Sequence, residues 1–332
     1  MIEIVLFAAI STLLYRLGMG PLLFLIPLQV LLVRRGTRAF VSAGALSLLL
    51  ILLVGFVLAR GWTSDGGALV GTVPFILLDM AVALILVGGL ALIQLPEIGP
   101  ELQVPRHPRV TRLAIATALA GLLFIPVILY LRSNEMFATG VRELLVSRID
   151  AMNDALTASQ SGALIGGVQP LQAETLLELV SMILLRSYLF YYFLVLGFSW
   201  WLGTIIGNRS LGRKPGIRRI ADFKLPDQYI WPLIASLAVV LLSLIVSVQP
   251  LEILGWNALL ILLFLYGVSG LGIIRFLLRK LKVRPGVRWL IIVSLVLLAL
   301  TPRLGFLILI LVPGLGVSEI WLKYRTKERS KL

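Results

Sequence analysis

Apolar runs long enough to cross a bilayer, separated by short clusters of arginine and lysine, fill the chain from its first residues to Leu322. The hydrocarbon core of a bilayer is about 30 Å thick, and an α-helix rising about 1.5 Å per residue crosses it in about 20 residues. Backbone at that depth has no water to bond, so only helices and closed barrels can cross. The runs here are too long and too evenly apolar for barrel strands of about ten alternating residues. Hydrophobic residues make up 59% of the 332, against roughly 45–50% in soluble domains, and the mean hydropathy is +1.01. The expected fold is an all-α polytopic transmembrane helix bundle of about ten hydrophobic segments.

Taken in order, residues 1–15 and 22–33 form a first pair, too short to span upright, joined by a turn at Arg16–Pro21. Spans follow at 39–59, 70–95 and 113–131, the last carrying Ala114, Ala116, Ala118, Ala120 and Gly121 as a seam for close helix contact. A helix running from Pro170 to Gly207 measures about 56 Å and has to protrude or bend. Beyond it lie spans at 229–248 and 256–278, with a tight turn at Pro250 and Glu252. A final stretch, 289–322, is split by Thr301–Gly305 into a second short pair. The whole is expected to be a single integral membrane domain, 1–332, whose apolar start is a retained helix rather than a cleaved leader.

Between residues 132 and 175 the chain turns polar. Phe137, Val141, Leu145, Ile149, Met152 and Leu156 recur every three or four positions there, with Arg142, Glu143, Asp150 and Asp154 on the other face. That spacing predicts an amphipathic helix. Charge sets the orientation. The segments at 34–38, 96–112, 207–228, 279–288 and 323–332 carry 22 of the basic residues, and the alternate loops carry six. Under the positive-inside rule both termini, the basic loop 207–228 and the basic tail 323–332 are cytoplasmic, and 132–175 is an external loop.

The candidate site centres on Gln172–Asn208, where Glu178 and Arg186 interrupt an apolar helix beside Tyr188, Tyr191, Tyr192, Trp200 and Trp201. A charge at mid-membrane costs about 2.5–3.5 kcal/mol on insertion scales, so it is paired or placed in a polar cavity. Asp79 falls at a depth similar to Arg186 and is its expected partner, ahead of Glu178. The ligand-binding candidates are therefore Arg186, Asp79, Glu178, Tyr188, Tyr191 and Tyr192. A structural ion pair and a packing or interfacial role for the tyrosines are the bland readings of the same residues. Glu319 is expected to pair with Lys323 or Arg325 at the membrane boundary, and Gly203-Thr-Ile-Ile-Gly207 to serve helix packing.

With no Cys and one His, thiol chemistry and Cys-based zinc sites lose their residues. No phosphate-cradling Gly-Lys-Ser/Thr loop, Gly-x-Gly-x-x-Gly, Gly-x-Ser-x-Gly or His-Glu-x-x-His occurs. No catalytic residue, metal or cofactor is assigned. The +14 net charge points to anionic lipid head groups at the basic loops rather than to nucleic acid.

Pro21-Leu-Leu-Phe-Leu-Ile-Pro-Leu-Gln-Val30 with Arg35-Gly36, and Phe223-Lys-Leu-Pro226 with Gly314-Leu-Gly-Val-Ser-Glu319 and the basic tail, resemble the YybS-like family of uncharacterised bacterial membrane proteins. That family is distantly similar, in its N-terminal part, to the substrate-binding subunits of energy-coupling-factor vitamin transporters. The resemblance implies small-molecule binding in a helical bundle of the bacterial cytoplasmic (inner) membrane, with energy supplied by partner proteins. A transport-type or small-molecule- or lipid-binding protein without its own energy source is the leading expectation. A non-catalytic assembly or scaffold subunit of a membrane or envelope complex is the second. An enzyme acting on a lipid-linked substrate through Asp79, Glu178 or Glu252 is the third.

The orientation is directly testable because no native cysteine interferes. A cysteine introduced at Ser159 is expected to react with an impermeant thiol reagent added outside. Labelling only from the cytoplasmic side would invert the topology.

Overall fold

The computed structural model describes residues 1–17, 23–61, 68–98, 109–133, 173–213, 223–246, 248–299 and 301–325, and isolated positions between 135 and 151. Among the described residues there are ten α-helices of this kind and no strand: α1 Ile2–Arg16, α2 Leu25–Arg35, α3 Thr37–Gly61, α4 Ala68–Ile98, α5 Arg109–Ser133, α6 Ala173–Ser210, α7 Ile230–Val246, α8 Gln249–Lys280, α9 Pro285–Ala299 and α10 Pro302–Leu322. The helical membrane bundle expected from the hydropathy is thus the fold. Six helices, α3, α4, α6, α7, α8 and α10, hold stretches long and apolar enough to cross a membrane.

Two boundaries differ from expectation for the same reason. Pro250 lies in the first turn of α8 and Pro302 in the first turn of α10, where proline's missing N–H is no loss. The turns before them are therefore shorter than the sequence suggested. As a result α10 reaches 21 residues, so only the first helical pair is short throughout.

The chain divides into two compact units, 1–215 and 216–332. In the first unit α2 is the centre. Leu25, Pro27, Leu28, Gln29, Val30, Leu31 and Leu32 are all buried, and α1, α3, α4 and α6 pack around them. The Ser11 hydroxyl donates to the Phe24 carbonyl just before α2, and Gln29 Nε2 donates to Thr204 Oγ1 at 3.0 Å. Gly203 and Gly207 let α6 come this close. A Cβ at Gly203 would sit 2.5 Å from Gln29 Cβ, and one at Gly207 would sit 2.7 Å from Val33 Cβ. The Gly-x-x-x-Gly pattern therefore serves internal packing, as expected.

A single residue, Gly36 at φ +82°, separates α2 from α3, a backbone conformation that glycine adopts without strain. On α5, which packs against α4 and α6, Ala116, Ala120 and Gly121 are buried, but Ala114 is half-buried and Ala118 exposed. Residues two apart do not share a helix face, so the expected alanine seam is narrower than its composition implied. Within the polar segment, Ile149 is buried while Arg142, Glu143 and Asp150 are exposed, all in helical backbone. Phe137, Val141, Leu145, Met152 and Leu156 lie outside the described residues.

In the second unit α7, α9 and α10 pack on α8. The α8–α10 crossing is set by a reciprocal pair of glycines: a Cβ on Gly270 would overlap the Val312 carbonyl, and one on Gly316 would overlap the Tyr266 carbonyl. Below the crossing Glu319, 3% exposed, pairs with Arg325 at 2.9 Å. Arg325 also donates to the carbonyls of Ser269 and Phe223 at 2.8 and 2.7 Å. The expected pairing of Glu319 with the tail is what the structure shows.

The crossing supplies a matched test. Gly270→Ala meets backbone that cannot move aside and is expected to destabilise by about 1–3 kcal/mol. Gly267→Ala on the same helix has its nearest neighbour at 3.7 Å and should be neutral or gain up to about 1 kcal/mol of helix propensity. Thermal unfolding of the full chain in detergent distinguishes them. Equal melting temperatures would mean that the two helices do not cross this tightly.

Candidate functional site

The polar centre of the first unit is built where α1 ends. Arg16, the last residue of α1, sends Nη1 to Asp79 Oδ2 on α4 at 2.9 Å and Nη2 to the Ile51 carbonyl on α3 at 2.6 Å. Gly55, one turn beyond Ile51, leaves the room: a Cβ there would lie 3.0 Å from the guanidinium. The neighbouring Tyr15 hydroxyl donates to Asp79 Oδ1 at 2.5 Å and lies 3.0 Å from the Asp79 carbonyl oxygen. Its ring stands edge-on against Phe24, with centroids 5.1 Å apart. Three helices thus hold one carboxylate between a guanidinium and a phenol, as expected of a charge that has left water.

Depth follows from α1 itself. Glu3 in its first turn pairs with Arg35 at 2.8 Å and Arg34 at 3.3 Å, which marks a polar rim. Thirteen residues on, Arg16 lies about 20 Å further along the helix axis, inside a core about 30 Å thick. The Arg16 and Asp79 side chains are 26% and 32% exposed in the isolated chain, so the pair can be reached from outside the packed core.

Of the residues singled out from the sequence, Asp79 belongs to this centre; Tyr192, 8% exposed, lies in the same buried cluster as Tyr15 and Phe24, its ring tilted against Phe124 with centroids 6.4 Å apart. The Tyr192 hydroxyl and the Arg16 Nε–H are both buried and have no acceptor among the described residues. The expected Arg186–Asp79 pair does not form: Asp79 is taken by Arg16 and Tyr15, and among the described residues neither Asp79 nor Glu178 pairs with Arg186. Arg186 and Tyr188 are half-buried on α6, while Tyr191 and Glu178 are exposed. Sequence reasoning missed Tyr15, which ends a run too short to span, and Arg16, which it placed in the turn that follows.

Chemically, the centre offers two hydrogen-bond donors beside a neutralised ion pair. It suits a small molecule that brings an acceptor, such as a carboxylate or carbonyl oxygen. Among the described residues no group of three His, Asp or Glu is placed to hold a metal ion.

A family model described as "Predicted membrane protein (DUF2232)" matches residues 69–312, and the chain belongs to that family. The matched range includes Asp79 and Tyr192 and begins after Tyr15 and Arg16. No curated protein and no solved structure matches the chain.

Removing one partner strands the other's charge. Arg16→Leu is expected to destabilise the chain by leaving the half-buried Asp79 carboxylate without its cation, and Arg16→Leu with Asp79→Leu to recover most of that loss. Denaturant unfolding of the three proteins checks this. A double variant no more stable than Arg16→Leu would show that the two side chains do not form a pair.

Proposed function

We propose that this DUF2232 member is a transport-type, small-molecule-binding membrane protein without an energy source of its own, and that its ligand meets the centre formed by Tyr15, Arg16, Asp79 and Tyr192. The observation that carries the reading is the Tyr192 hydroxyl: buried, without a hydrogen-bond partner among the described residues, and in the same buried cluster as Tyr15, which bonds the Asp79 carboxylate. A buried polar group left unpaired costs about 1–3 kcal/mol, which a chain selected for stability alone removes by using phenylalanine. A ligand acceptor gives the hydroxyl its use. Tyr188, one turn before Tyr192, and Arg186, six residues before it, are proposed as further contacts along α6.

Residues 21–30 resemble the YybS-like family, itself distantly similar to substrate-binding subunits powered by partners, and that resemblance supports the same class; Leu25–Val30 of that stretch lie in α2. The charge asymmetry of the loops supports placement in a bacterial cytoplasmic membrane with both termini inside. A role in assembly is the second reading. It is favoured by the second unit, whose buried carboxylate Glu319 is tied internally and whose α10 leaves Phe306, Leu307, Ile310 and Leu311 exposed.

Tyr192→Phe separates binding from packing. The variant loses only an unpaired hydroxyl, so its melting temperature in nanodiscs should equal or exceed that of the parent. Native mass spectrometry should show a small molecule co-purifying with the parent and depleted by about tenfold or more in the variant, the loss of about 1.4 kcal/mol of binding. Equal occupancy in both proteins, or no adduct on the parent, would remove the binding reading.

A further inference from the structure

At the opposite end of α1 from the ion pair, a cavity of about 650 Å³ opens between the first turns of α1 and α3. Its walls combine two guanidinium groups, Arg35 and Arg38, with the apolar side chains of Ile2, Ile4 and Ala39 and the carboxylate of Glu3. The volume lies within the range of about 300–1,000 Å³ usual for small-molecule sites.

The charges here do not balance. Arg34, Arg35 and Arg38 meet one carboxylate, Glu3, which Arg34 and Arg35 already occupy. The hydrogen bond from Arg35 holds the Glu3 carboxyl below the usual carboxylate range, so it stays an anion committed to those two arginines. Among the described residues Arg38 has no acidic partner. It is also the second residue of α3, a 25-residue helix whose N-terminal dipole and unpaired N–H groups disfavour a cation and favour an anion. An arginine at that position, lining a cavity, lacks a negative group.

We propose that the phosphodiester of an anionic phospholipid supplies it, held between Arg38 and Arg35 with its glycerol end against Ile2, Ile4 and Ala39. A lipid is the occupant that fits because α3 carries a membrane-crossing stretch from Thr37 onward, which puts Arg38 at head-group level. The apolar walls suit the base of the acyl chains, and a soluble anion would leave them unused. This site is independent of the Arg16–Asp79 pair, since Arg16 lies about 20 Å from Glu3 along α1.

The test uses the full chain, reconstituted in nanodiscs of equal parts phosphatidylglycerol and phosphatidylcholine, then released into mild detergent for native mass spectrometry. One phosphatidylglycerol is expected to remain on the parent in preference to phosphatidylcholine. Arg38→Gln should cut that retained fraction about fivefold, as expected for one basic residue at an anionic surface. Ser42→Trp should cut it as well by filling the cavity without changing charge. Lys280→Gln, which removes an exposed positive charge in the other unit, should leave it intact. Should either cavity variant fail to fold, the other decides. Equal retention of both lipids, the same loss in Lys280→Gln as in Arg38→Gln, or displacement of the lipid by millimolar inorganic phosphate would overturn the proposal.

Discussion

An eleven-residue helix inside a membrane bundle has a problem that longer helices avoid. At about 1.5 Å per residue, α2 covers about 16 Å, so with Arg34 and Arg35 at the polar rim its other end stops within the hydrocarbon region, where backbone groups have no water to turn to. Burying it on all sides solves this. Ser11 from α1 takes the Phe24 carbonyl, Thr204 from α6 takes the Gln29 amide, and glycines at 203 and 207 bring the α6 backbone close enough to close the gap. The arrangement of the first unit follows from that requirement, since every helix that shelters α2 is fixed by contact with it.

The polar centre is a product of the same packing. Because α1, α3, α4 and α6 all lean on one short helix, the end of α1 is brought against the middle of α3 and the early turns of α4. That is where Arg16, the Ile51 carbonyl and Asp79 meet. Phe24, at the entrance to α2, forms the wall on which Tyr15 rests. The second unit solves its own charge problem differently. Glu319 is neutralised by an arginine six positions later, and that arginine reaches carbonyls on two other segments, so one guanidinium joins three parts of the chain.

What was legible in the sequence followed from length and period. Hydropathy located the helices because a run of about 20 apolar residues has few alternatives to a span. Glu319 was paired correctly because its partner is local, and Gly203 and Gly207 because small residues four apart have a definite geometric meaning. Arg186 and Asp79 show the opposite case. Depth can be counted along a helix, but which helices are neighbours cannot, and equal depth is a poor guide to contact. Arg16 was hidden by the shortness of α1: a residue after 15 apolar positions looks like the start of a loop, unless the next helix is known to be enclosed. The alanines of α5 misled through composition, since only those at 116 and 120 recur with the helical period.

The single glycine between α2 and α3 has an entropic consequence. Loops that bind anions lose conformational freedom when they close on the ligand, and that loss subtracts from affinity. Arg38 has little to lose of this kind. Its backbone is two residues from Gly36, whose other side is the end of α2, buried as far as Leu32, so the first turn of α3 is held between two helices before anything arrives. Only the side-chain rotamers remain to be ordered, and the affinity of that cavity is therefore governed by charge and fit rather than by the cost of folding a segment around its occupant.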